Sequence, residues 1–413
     1  MSRKVVITGI GATTPIGSDA ASTWQAALAG TSGIHALDND WGEKYSLPVT
    51  IAGKVPAGTV EEKLTRVEAK RLDPSSQFAL ISAREAWADA GTPDVDPDRL
   101  AVSWASGIGG VWTLLDAWDT LRERGPRRVM PLTVPMLMPN GPAAAVGMEL
   151  KARASVQTMV SACASSTESL GHALDILRSG RADVVVAGGS EAAIHPLPLA
   201  AFASMQALSK RNDDPEHASR PYDVDRDGFV MAEGAGALVL EFEDHAKARG
   251  ATIYAELAGS GVSNDSYHIT AGDPDGTGAA RALRLALDDA DASPADVRHI
   301  NAHATSTPVG DIPESVALNK ILGAAIDDAA VSATKSMTGH LLGGAGAVEA
   351  ILTVLALKER MAPPTINTQN VDPAVNLDVV LNDPRKLPDG DLLAVSTSFG
   401  FGGHNAVVVA RSV

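Results

Sequence analysis

Three things are scarce in this 413-residue chain: cysteine, positive charge and uninterrupted apolar sequence. A single cysteine excludes an internal disulfide and a multi-thiolate zinc site, so Cys163 can matter only as one thiol. Formal charge is 34 − 50 = −16, a surface field that on average repels nucleic acid and anionic membranes. Binding to either is not expected. The longest apolar runs, such as residues 345–357, contain glycine or glutamate and fall short of the roughly 20 residues a membrane helix needs. Residues 4–8 already read as a strand, leaving no room for a secretory signal, and the cytoplasm is the expected compartment. Several motifs are missing as well. There is no Walker A lysine and no HExxH, and Gly9-Ile10-Gly11 is followed by Thr14 where a dinucleotide fingerprint needs its third glycine. His299 and His303 flank a strand end rather than share a helix face, which argues against a metal pair.

What is present is enough apolar material, 45% of residues, for a large core. Short β-rich runs alternate with amphipathic helices, which predicts an α/β protein with partly parallel sheets. The alternation occurs twice. KVVITGIG, RLAVSWASG, VSACASS with a helix, ADVVVAGGSE and GALVLEFE are followed in the same order by TIYAELAGSG, VRHINAHAT, VSATKSM with a helix, LLAVSTSFGFGG and NAVVVARSV. Identical Val-Ser-Ala tripeptides at 160–162 and 331–333 mark corresponding strand ends. An internal duplication follows, with residues 1–250 and 251–413 as its halves and the join near Lys247–Gly250. Ligands of open α/β sheets bind beyond the carboxyl ends of strands, so the residues just after the matched strands are the ones to examine.

Cys163 follows the first Val-Ser-Ala and precedes a helix with Leu170, Ala173, Leu174 and Leu177 on one face. A helix N-terminus favours thiolate, which makes Cys163 a nucleophile candidate. A small buried core residue explains it about equally well. His303 lies just past a matched strand, ahead of Thr305 and Thr307. His340 lies five residues after Lys335, which follows the second Val-Ser-Ala. Either histidine alone reads more readily as structural; three functional groups after three matched strands are better explained by one pocket. Glu349 interrupts an apolar helix and, if buried, needs a partner, for which Lys335 is the candidate. The run Phe399–Asn405 could donate a second backbone N–H to an oxyanion and present Phe401 as a movable gate, or simply be a tight turn.

VSACASS around Cys163, NAHATSTPVGD around His303, TKSMTGHLLGGAGAVE from Lys335 to Glu349 and SFGFGGHN near the end together resemble the β-ketoacyl-acyl carrier protein synthases, condensing enzymes of the thiolase superfamily. The resemblance covers nearly the whole chain, and it is nearest to the elongating type II of fatty-acid synthesis, including Gly107–Gly110 and the segment RNDDPEHASRPYDVDRDGFV. It implies a thiolase-like fold of two α/β halves in five layers, αβαβα, and a homodimer with no metal and no cofactor of its own. Phosphopantetheine would arrive on the acyl carrier protein. By the same resemblance Cys163 carries the acyl chain, and the N–H groups of Cys163 and Phe401 form the oxyanion hole. His303 and His340 promote malonyl decarboxylation and hold the enolate, in a division of labour left open, while Lys335 and Glu349 organise the electrostatics. Thr305, Thr307 and Thr270 bind the pantetheine arm, and Ile108 and Phe202 border the acyl tunnel. Basic residues Lys63, Arg66, Lys70, Arg71, Arg127 and Arg128 are the expected landing site for the acidic carrier. Ala304 stands where many relatives have glycine, and Ala164-Ser165 replaces a commoner Thr-Ser or Ser-Ser; neither change removes a functional group. A thiolase would need a second cysteine, and the initiating type III pairs its cysteine with histidine and asparagine. A discrete polyketide ketosynthase shares every catalytic residue and is the alternative enzyme. A catalytically silent scaffold is the alternative of another class.

Overall fold

A computed structural model describes residues 3–413. Ten strands form one sheet: β1 (Val5–Thr13), β2 (Leu100–Ala105), β3 (Ser155–Met159), β4 (Val184–Glu191), β5 (Gly234–Phe242), β6 (Ala255–Asn264), β7 (Val297–Asn301), β8 (Ala330–Ser332), β9 (Leu393–Gly400) and β10 (His404–Arg411). Their order across the sheet is β8-β7-β9-β10-β6-β1-β5-β4-β2-β3. Read outward from the centre, β1–β5 and β6–β10 follow the same path. The two sets meet where β1 pairs antiparallel with β6, Val6 opposite Glu256. In each set three strands run parallel, β3-β2-β4 and β8-β7-β9, so their carboxyl ends share an edge.

Helices complete the layers. α1 (Pro74–Asp89) and α3 (Gly141–Leu150) cover the outer face of the first set, with α2 (Val111–Arg124) between them in the chain. α5 (Thr277–Asp289) and α6 (Asp311–Leu322) cover the second set, while α4 (Ser165–Arg178) and α7 (Ala345–Glu359) lie between the two and touch strands of both. This is the αβαβα arrangement of the thiolase-like fold. The central pair explains its own sequences. α7 is buried on every side from Ala345 to Leu357, as expected of a helix without a solvent face. In α4, Leu170, Ala173, Leu174 and Leu177 are all fully buried.

The glycine pattern that imitated a dinucleotide fingerprint has a packing cause. A Cβ on Gly9 or Gly11 would stand 2.2 or 2.1 Å from carbonyl oxygens of α1. Gly259 and Gly261 of β6 meet α5 in the same way, at 2.6 and 2.2 Å. Each half therefore lays its outer helix directly on the backbone of its first strand, and the GxG spacing marks the repeat rather than a nucleotide site. Among the described residues, no helix is long and apolar enough to cross a membrane.

Candidate active site

The parallel strands deliver the functional side chains. From the first set, Ser106 follows β2, Cys163 follows β3 and Glu191 ends β4; from the second, His303 follows β7, Lys335 follows β8 and Phe401 follows β9. Val160–Ala162 lies just beyond β3 rather than ending it, and Ala162 takes a left-handed conformation, φ 50°, that turns the chain sharply into Cys163. The β9–β10 hairpin closes over this turn. A Cβ on Gly400 would come within 2.6 Å of the Ser161 carbonyl oxygen and 3.0 Å of the Cys163 nitrogen, so only glycine lets the Phe401 backbone approach Cys163. The N–H groups of Phe401 and Cys163 both act on the sulfur. That is the placement an oxyanion hole needs.

His303 and His340 stand edge to face with ring centroids 5.4 Å apart. Lys335 Nζ lies 3.3 Å from His303 Nδ1 and also donates to Glu349 Oε1, and both members of this ion pair are buried. Burial raises the Glu349 carboxyl above its ordinary range, with the Lys335 ammonium opposing. The His340 backbone is fixed by His340 N–H to Val230 O at 2.8 Å and Ala232 N–H to His340 O at 2.9 Å. Its ring packs on Phe229, which packs on Phe202, whose ring lies 6.4 Å from that of Phe401. Thr305 and Thr307 do point the same way, with their hydroxyls 3.0 Å apart.

The remaining expected site residues lie further out. Ile108 has 40% of its surface exposed, whereas Phe202 is half-buried in the apolar cluster that includes Cys163. Thr270 sits in the loop between β6 and α5, where its N–H donates to His268 Nδ1; the neighbouring Ile269 carbonyl receives the Gly402 N–H. Lys63, Arg66, Lys70, Arg71, Arg127 and Arg128 are all exposed.

One expectation is corrected. The helix start was to favour thiolate, yet α4 begins at Ser165, two residues past the nucleophile. Burial pushes the Cys163 thiol up to about 12, the Lys335 ammonium and the two peptide N–H groups pulling down and the Glu191 carboxylate pushing further up. At neutral pH so raised a thiol keeps its proton, and attack by this sulfur would require an acceptor. Burial, and then the Lys335 charge, hold both imidazoles well below the ordinary histidine range, so they are neutral and able to accept. The sign of a Lys335 effect follows: removing a nearby cation raises the thiol further. In Lys335→Met with Glu349→Gln, a pair that leaves no buried charge unmatched, iodoacetamide alkylation of Cys163 should need a higher pH than in the wild type. An unchanged pH midpoint would separate Lys335 from the sulfur.

Two carboxylates in this shell had no sequence signal. Glu314, in the first turn of α6, accepts N–H bonds from His303 at 2.8 Å and Ala304 at 2.7 Å and a hydroxyl bond from Thr397 at 2.7 Å. It thus fixes the backbone that carries the first histidine, including Ala304. Glu191 is fully buried at the end of β4.

Comparison with known proteins agrees with this geometry. The family model "Beta-ketoacyl synthase, N-terminal domain" matches residues 2–246, and "Beta-ketoacyl synthase, C-terminal domain" matches residues 254–369. The chain is 45% identical over 405 residues to a 3-oxoacyl-[acyl-carrier-protein] synthase 2 of Mycobacterium bovis, covering 98% of this chain and 96% of the relative. It is 46% identical over 413 residues to the protein of that name from Staphylococcus aureus, covering 99% and 98%. Among solved structures, a ketosynthase in complex with its type II PKS acyl-carrier protein superposes with TM-score 0.92 at 34% identity, and a β-ketoacyl synthase from Burkholderia phymatum with 0.90 at 34%, each over 100% of both chains. With a cysteine, a histidine and a buried lysine just past matched strands, a second histidine beside them and these near-full-length matches, this chain belongs to the β-ketoacyl synthase family.

Proposed function

We propose that the chain is an acyltransferase of the 3-oxoacyl-acyl carrier protein synthase 2 type, condensing malonyl-acyl carrier protein with an acyl chain held on Cys163 in fatty-acid elongation. The observation that carries this reading is the convergence of one thiol, two neutral imidazoles and the Lys335–Glu349 pair at the carboxyl ends of strands from both halves. The Cys163 sulfur loses its proton to an imidazole and attacks the acyl thioester. The tetrahedral oxyanion sits on the N–H groups of Cys163 and Phe401, and the carrier's thiol leaves with the proton. Malonyl-carrier protein then releases carbon dioxide. Its enolate, held by His303 and His340, attacks the acyl-enzyme carbonyl, and expulsion of the Cys163 sulfur gives 3-oxoacyl-carrier protein. Lys335 and Glu349 hold the imidazoles in place and in charge state. Thr305, Thr307 and Thr270 receive the pantetheine arm; Ile108 and Phe202 border the acyl chain. No metal or organic cofactor resident in the protein is required, because phosphopantetheine comes with the carrier. Mixing acyl- and malonyl-carrier protein with the enzyme and weighing the product tests this directly: a mass gain equal to malonyl minus carbon dioxide is expected, and hydrolysis alone would refute it.

Polyketide ketosynthases share the catalytic set, and one carries the 0.92 superposition. Elongation of fatty acids is preferred because identity to the synthase 2 relatives is 45–46% against 34% there. A homodimer is part of the same proposal. β3 ends the sheet as an open edge, and Val156 and Val160 are exposed beside it, as are Leu114, Trp118 and Leu121 of α2.

Docking of the acidic carrier is assigned to Lys63, Arg66, Lys70, Arg71, Arg127 and Arg128, because the −16 field as a whole repels it and a local patch must guide it. Rim charges act mainly on encounter rate. Arg127→Glu with Arg128→Glu should therefore raise KM for acyl-carrier protein and flatten its salt dependence, while turnover of a small acyl thioester stays near wild type. Equal loss on both substrates would move the landing site elsewhere.

A further inference from the structure

Glu191 is a buried titratable group beside the site that the chemistry above leaves without a task. One carboxylate oxygen accepts from Ser106 Oγ at 3.1 Å and Ile108 N–H at 3.3 Å; the other accepts from Gly107 N–H at 2.8 Å and Gly343 N–H at 3.1 Å. Three of these donors lie on the loop after β2 in the first half. The fourth lies in the second half, three residues beyond His340. Ser106 Oγ in turn accepts the Gly109 N–H at 2.9 Å, so the carboxylate organises the whole loop.

Both sides of this junction are conformationally strained. Ala162, beside Cys163, and Leu342, beside Gly343, are non-glycine residues with left-handed φ of 50° and 49°. Such residues persist only where their surroundings over-determine them. The contacts are also close: a Cβ on Gly107 would meet Glu191 Oε2 at 2.7 Å and the Ala162 carbonyl at 3.6 Å, and one on Gly343 would meet the Gly107 nitrogen at 2.1 Å. The Glu191 carboxylate is the group bonded to both loops where they touch.

We infer that Glu191 is a positioning residue for condensation, clamping the loop beside the nucleophile to the turn beyond His340 and so setting the imidazole against the Cys163 sulfur across the two halves. Glutamine replaces it imperfectly. Its amide nitrogen either faces the Gly107 and Gly343 N–H groups and loses both bonds, or faces Ile108 N–H and the Ser106 hydroxyl, where the hydroxyl turns to accept and the Ile108 bond is lost.

The inference rests on the condensing-enzyme reading, and the two fail differently. No condensation by the wild-type chain removes that reading, whereas a wild-type rate in Glu191→Gln removes only the role of Glu191. The test is a cycle of Glu191→Gln, His340→Ala and the double variant, read by two measurements: acylation of Cys163 by a short acyl-carrier protein, by intact mass, and condensation turnover. Glu191→Gln should acylate within about threefold of wild type yet condense about 100-fold more slowly, the cost of misplacing a reacting group by about 1 Å. Because its effect passes through His340, adding it to His340→Ala should cost less than about twofold more. Losses that multiply in the double variant would make Glu191 a general structural residue and overturn the inference. If Glu191→Gln does not fold, Ser106→Ala decides: a condensation loss with acylation intact supports the clamp, and unchanged condensation refutes it.

Discussion

Cys163→Ala is expected to yield no acyl-enzyme and no condensation product, the largest single-site loss in this molecule. The chain holds no other thiol. The Ser165 hydroxyl, two residues on, is a poor replacement. Ser165 donates to the Ala162 carbonyl at 2.6 Å and accepts the Ser161 N–H at 2.8 Å, which commits its oxygen to the turn. A serine hydroxyl is also a far weaker nucleophile than a thiol at its ordinary pKa. The turn itself should survive, since its unusual φ belongs to Ala162 and alanine at 163 asks nothing new of the backbone. His303, His340 and Lys335 also remain, so carbon dioxide should still be released from malonyl-carrier protein. Intact mass after exposure to acyl-carrier protein gives the answer: an adduct on the wild type and none on the variant. An adduct on the variant would mean that another residue is the nucleophile.

The residues that sequence alone could find share two properties: an uncommon chemical type and a place just past a strand. Cys163 and His303 met both, Lys335 lay just past a strand and His340 followed it by five residues, and Glu349 was visible as a charge inside an apolar helix. Glu314 met neither. Acidic residues are common in the first turn of a helix because they complement its dipole, so Asp311 and Glu314 at the start of α6 read as ordinary. Its partner Thr397 is 83 residues away, and the Gly343 partner of Glu191 is 152 away. Only the folded sheet brings such pairs together. The thiol expectation failed for the same reason. A helix start is a local feature, whereas the burial that raises the Cys163 thiol comes from packing against an apolar cluster whose members, Phe229, Met231 and Leu342 among them, are spread over the chain. The duplicated strand order was legible because each half repeats its GxG contact and its strand run within itself.

Replacing His303 or His340 singly by alanine should leave acylation of Cys163 largely intact and reduce condensation by about 100- to 1000-fold, the cost of losing one preorganised donor. The geometry supplies the reason for separate outcomes. With the Lys335 ammonium 3.3 Å from His303 Nδ1, that nitrogen serves as acceptor, which puts the ring proton on Nε2 and makes His303 a donor toward an enolate oxygen. His340 Nδ1 has no partner among the described residues, and its ring is held by Phe229 and His303. Each imidazole is neutral at working pH, and acylation needs one acceptor: His340 serves when His303 is missing, and His303 serves when His340 is missing once its tautomer reverses away from Lys335. The enolate has no such redundancy, because it uses both. Removing both histidines should therefore do what neither single change does, and slow acylation as well, leaving a thiol near pKa 12 without a base. Acyl-enzyme formation, carbon dioxide release and product formation, followed separately for the three variants, resolve these steps. A single variant that condenses within threefold of wild type would place that histidine outside the site. A double variant that acylates at the wild-type rate would mean that the proton leaves the sulfur by another route.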